Sequence, residues 1–79
     1  MKIIDEMLRF KIKELIGKKE FDENRRVTIG EIAEVTGVNR MTISKMINHK
    51  GANTGTDNIN NLCNYFKCSL TDLVEYIPD

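Results

Sequence analysis

Thr28-Ile29-Gly30-Glu31-Ile32-Ala33-Glu34-Val35-Thr36-Gly37-Val38-Asn39-Arg40-Met41-Thr42-Ile43-Ser44-Lys45-Met46-Ile47-Asn48 is the stretch on which the reading of this chain turns. Thr28 followed three residues later by Glu31 is a capping-box pattern, each side chain answering an exposed amide of a first helical turn. The helix it opens runs over 29–36 and buries Ile32, Ala33 and Thr36. Gly37 stops it, Val38 and Asn39 form the turn, and Asn39 caps a second helix over about 40–48. Ile43, Met46 and Ile47 form the inward face of that second helix. Ala33 is small where two helix backbones would approach, and Gly37 stands four residues on, where a positive φ is needed. Val38, Ile43 and Met46 then lie one, six and nine residues beyond the glycine. The pattern predicts two short helices crossing steeply, the second held outward.

Outward from this stretch the periodicity stays helical. Ile4, Leu8, Ile12, Leu15 and Ile16, widened by Met7 and Phe10, recur at spacings of three and four and predict a helix over 3–16 that Gly17 closes. Lys2, Arg9, Lys11, Lys13 and Glu14 are left for solvent. Residues 17–27 read as a polar connection pinned to the core by Phe21. Residues 49–56 are small, polar and glycine-punctuated, and so read as a loop. A helix over 57–66 turns Ile59, Leu62, Cys63 and Phe66 inward. Ser69, with Asp72 completing Ser-x-x-Asp, caps a last helix carrying Leu70, Leu73, Val74 and Ile77. The expectation is an all-α fold of five short helices, a single domain over 1–79.

The chain has 79 residues, of which 41% are hydrophobic, enough for a small folded core but not for a large one. Its 12 basic and 12 acidic residues cancel, yet they are segregated: no Asp or Glu occurs over 35–56, where Arg40, Lys45, His49 and Lys50 all lie. The start becomes charged too soon for a signal peptide, and no apolar run nears the roughly 18 residues that span a bilayer, so a soluble, cytoplasmic protein is expected. Cys63 and Cys68 are too few for a disulfide scaffold. Their spacing misses the usual zinc-ligand gap, and His49 alone completes no ligand set, so the reading is reduced, packed thiols with no metal or cofactor. There is no glycine-rich phosphate loop, no convincing carboxylate pair, and a single His without a partnered nucleophile. An enzyme is not expected.

The 28–48 stretch resembles the helix-turn-helix of Cro and phage-repressor-like regulators. The tail, Leu62-Cys63-Asn64-Tyr65-Phe66-Lys67-Cys68-Ser69-Leu70-Thr71-Asp72-Leu73, is similar to that family's last two helices. The resemblance implies a five-helix, lambda-repressor-like DNA-binding domain whose third helix enters the major groove of double-stranded DNA, and a role as a sequence-specific transcriptional regulator. The connection between the first two helices is longer than usual. Ile29 stands where many members have a glutamine that touches the DNA backbone, so no contact is carried over there. The family pattern places base contacts at Asn39, Arg40, Met41, Ser44 and Lys45. Arg40 can donate two hydrogen bonds to guanine, Lys45 can reach guanine or a phosphate, and Met41 offers apolar contact to a thymine methyl. Arg26, Thr28, Asn48, His49, Lys50 and Asn53 would hold flanking phosphates. One such helix reads few base pairs, so a homodimer through the last helix (Leu73, Tyr76, Ile77) or formed on the DNA is expected. The alternative is a protein-interaction module on the same fold, such as an antitoxin-like partner or accessory subunit, favoured by the neutral net charge and the apolar last helix.

Overall fold

The computed structural model describes residues 7–48 and 54–77. In chain order these form a strand β1 (Met7–Phe10), helices α1 (Ile12–Glu23), α2 (Ile29–Thr36), α3 (Arg40–Asn48), α4 (Thr56–Phe66) and α5 (Leu70–Leu73), and a strand β2 (Val74–Ile77). The five helices carry the fold, and the strand pair is a minor addition. α2 packs against α3 and α4, α1 against α3, and α5 against α4. None of the described helices is long and apolar enough to cross a membrane.

The core is apolar throughout. Ile12, Ile32, Ile43, Leu62 and Leu73 bring one fully buried side chain from each of the five helices, and Val38 and Met46 close the space between α2 and α3. Burying an aliphatic side chain of this size stabilises by about 1.5–3 kcal/mol. The residues one, six and nine beyond Gly37 are thus the ones that seal the underside of the two-helix unit.

Two expectations fail at the ends of the chain. The first helix does not run over 3–16, because Met7–Phe10 is a strand paired antiparallel with Val74–Ile77. Its residues fit either period: Leu8 and Phe10 lie two apart, yet Leu8 and Ile12 lie four apart. The distant partner decides between them. Phe10 faces Val74, Leu8 faces Tyr76, and Arg9 faces Glu75 with Nε to Oε1 at 3.0 Å. Lys11 extends the ladder by donating its amide to Leu73 O at 2.7 Å. For the same reason the last helix is a single turn rather than a helix through Ile77. Its cap is as expected, with Asp72 Oδ2 accepting from both the Ser69 amide and hydroxyl.

A further expectation fails at Gly17, which does not end α1. The helix passes through it and stops at Asn24, whose φ of 53° is left-handed. Asn is the residue besides Gly that most readily takes this conformation. Glu20 ties the stop down: its carbonyl accepts from the Arg25 amide at 3.2 Å and its carboxylate from the Val27 amide at 2.9 Å. The connection to α2 is therefore short, and most of the expected polar loop is helix, braced by Lys18–Asp22 and Lys19–Glu23 pairs. Phe21 pins nothing; it stands 86% exposed on α1.

Candidate nucleic-acid interface

α2 starts where Thr28 Oγ1 accepts the amide of Glu31 at 3.1 Å. Only this half of the capping box forms, because the Glu31 carboxylate is drawn elsewhere. Gly37 ends the helix with φ 79° and passes its amide to Ala33 O at 2.9 Å. Thr36 braces the turn, giving its hydroxyl to Ile32 O at 2.6 Å and accepting the Val38 amide at 3.1 Å. Asn61 of α4 donates to Thr36 O at 3.2 Å and fixes the turn to the body of the protein. Asn39 then opens α3, its Oδ1 accepting from the Met41 amide at 2.8 Å.

The chain therefore leaves Gly37 in one direction only, and α3 presents a fixed face. Ile43 and Met46 are buried beneath it, while Asn39, Arg40, Met41, Lys45 and Asn48 are exposed and Ser44 is half-exposed. Met41 is 69% exposed. Asn48 Nδ2 reaches back to donate to Ser44 Oγ at 3.3 Å. The five residues expected at bases thus share the outer surface of α3 and its cap. Thr28 and Arg26 are exposed just before α2. His49, Lys50 and Asn53 lie outside the described residues.

Arg40 is not extended. A Cβ placed on Gly30 would stand 3.7 Å from Arg40 Cζ, 3.8 Å from its Nη2 and 3.8 Å from Thr28 Oγ1. The guanidinium thus folds back across the first turn of α2, over the one residue there with no side chain to obstruct it. Gly30 inside a predicted helix was the available signal for this approach, and spacing alone does not reveal it.

Behind α2, a ring of side chains holds the unit to the rest of the molecule. Lys19 pairs with Glu23 at 2.7 Å and Glu23 with Arg25 Nε at 2.8 Å, while Arg25 takes both oxygens of Glu31 at 2.8 Å each. Tyr65 of α4 donates its hydroxyl to Glu31 at 2.9 Å, and Lys19 Nζ closes the circuit 4.8 Å from the centre of the Tyr65 ring. Arg25, with the Tyr65 hydroxyl second, holds the Glu31 carboxyl down at about 2. Arg25 is raised in turn by Glu31 first and Glu23 second. This basic residue, though exposed, is thereby engaged by two of the chain's own carboxylates. No local pattern marks the ring, because Tyr65 is 34 residues from Glu31.

A small helix pair with a glycine corner, an outward second helix and no carboxylate on its turn defines a helix-turn-helix domain. Residues 10–79 match the Cro/C1-type HTH DNA-binding domain family, and the chain belongs to it. Among solved structures it is similar to a crystal structure of the transcriptional regulator VanUg. The TM-score is 0.67 at 20% identity, covering 100% of this chain and 96% of that one, a likeness of fold. No curated protein matches.

Proposed function

We propose that this protein is a sequence-specific DNA-binding transcriptional regulator that lays α3 in the major groove. The observation that carries the proposal is the outer face of α3: exposed Asn39, Arg40, Met41 and Lys45 around a buried Ile43–Met46 underside, in a stretch without a single acid. Family membership supports the same reading. Arg40, once its guanidinium swings off Gly30, reads guanine; Lys45 reads guanine or a neighbouring phosphate; Met41 lies against a thymine methyl. Asn39 and Ser44 supply further polar contacts to base edges. Arg26, Thr28 and Asn48, with His49, Lys50 and Asn53, hold the phosphates on either side.

Two copies bind half-sites about one helical turn apart, and they meet on the DNA. Of the residues expected at a last-helix dimer face, Leu73 is fully buried, while Tyr76 and Ile77 lie on β2 with Tyr76 exposed.

Selection from random duplexes tests the proposal, followed by titration of the selected site at several salt concentrations. A preferred, salt-sensitive site is expected. Arg40→Ala should cost about 1–3 kcal/mol and relax preference at one base pair. Loss that is uniform over all sites would move Arg40 to the phosphates, and absence of binding to any duplex at low salt would remove the proposal altogether.

A further inference from the structure

The corner after α4 places the chain's two thiols together. Lys67 is left-handed, with φ 55°, the Cys68 amide donates to Cys63 O at 3.0 Å, and the Lys67 amide donates to Asn64 O at 3.3 Å. This pair of hydrogen bonds is the Schellman closure, which frequently brings together the side chains at the two ends of the bond that spans more residues. Here those side chains are Cys63 and Cys68, and both are half-buried and packed against the core. A disulfide needs two β-carbons about 3.5–4.5 Å apart on backbones held in register, and this corner supplies the register. Neither thiol is sealed off. Cys68 lines a groove of about 680 Å³ between α1 and the α4–α5 corner, wide enough for a small reagent to enter and leave.

We propose that Cys63 and Cys68 form a reversible intramolecular disulfide, closed by a small-molecule disulfide such as oxidised glutathione. One protein thiolate attacks the S–S bond of the reagent and releases one small thiol, leaving a mixed disulfide. The second protein thiolate displaces the remaining half, and the Sγ–Sγ bond forms. The protein loses two electrons and two protons; the reagent is reduced to two thiols. Burial first, and the neighbouring Cys63 second, push the Cys68 thiol up to about 11. Cys68 thiolate is scarce at neutral pH, so the step that uses it is slow there and accelerates as pH rises.

The test uses the wild-type chain incubated with oxidised glutathione at pH 8.5, followed by intact mass and thiol counting. The expected product is a monomer lacking two hydrogens with no free thiol, returned to the starting mass by dithiothreitol. Its melting temperature should rise by roughly 10 °C, the effect of closing a short loop in a small domain. In Cys68→Ser, the glutathione adduct on Cys63 should persist, for want of a resolving thiol. Retention of both thiols in the wild type, a lasting glutathione adduct on it, or covalent dimers would each overturn the proposal.

Discussion

Gly37 and Gly17 make opposite predictions. Gly37 sits at φ 79° with nothing within 4 Å of the place a β-carbon would take, so Gly37→Ala tests backbone strain without a steric clash. It should destabilise the protein by about 1–2 kcal/mol, read from the denaturant midpoint at unchanged slope. Gly17 also has open space around it but lies inside α1. Gly17→Ala should therefore stabilise by about 1 kcal/mol, whereas a terminator role for Gly17 would make the same change harmful. The corner at Gly37 was legible because glycine, cap and apolar spacing agreed within twenty residues. The true end of α1 was not, because Asn24 among polar neighbours looks like any loop residue until the Glu20 contacts are known.

At the level of elements, the ring through Glu31 joins α1, α2 and α4, and its electrostatics have a definite sign. Glu31 is held at about 2, below its ordinary 4.5. A lowered folded-state value means a contribution that is whole above the ordinary value and is lost as pH falls from there through about 2. Melting temperatures of wild type and Glu31→Gln should therefore converge as the solution is acidified across that window. Parallel curves would mean that solvent screens the ring into irrelevance, since these groups lie at the surface. Helix existence over 29–36, 40–48 and 57–66 was readable from local period alone. The strands were not: four residues cannot distinguish a period of two from one of 3.6 when both place apolar groups acceptably, and only the pairing of Phe10 with Val74 settles the matter.

Over the whole molecule, zero net charge and the proposed DNA-facing surface are compatible because the acids are kept away from residues 35–56. With few cations at the interface, affinity for a selected site should fall by about a hundredfold between roughly 50 and 200 mM salt, less steeply than for strongly basic regulators. Fluorescence anisotropy at four salt concentrations measures the slope, and a flat line would point to the protein-interaction alternative. Which residues share the outer face of α3 could be placed from the pattern because α3 is short and its buried positions, Ile43 and Met46, were marked by spacing. The fold-back of Arg40 and the pairing of Arg25 with Glu31 could not, since each depends on a neighbour brought close only by the folded chain.

The β1–β2 ribbon also imposes an order on synthesis. Arg9 and Glu75 are 66 residues apart, so β1 leaves the ribosome long before its partner exists. Until then the Phe10 side chain, destined for the core, lacks its cross-strand neighbour Val74. The helices can begin to pack as they emerge, but the ribbon cannot close before Val74–Ile77 has been made. A nascent chain stalled before Val74 should accordingly be far more protease-sensitive at its leading end than the released protein.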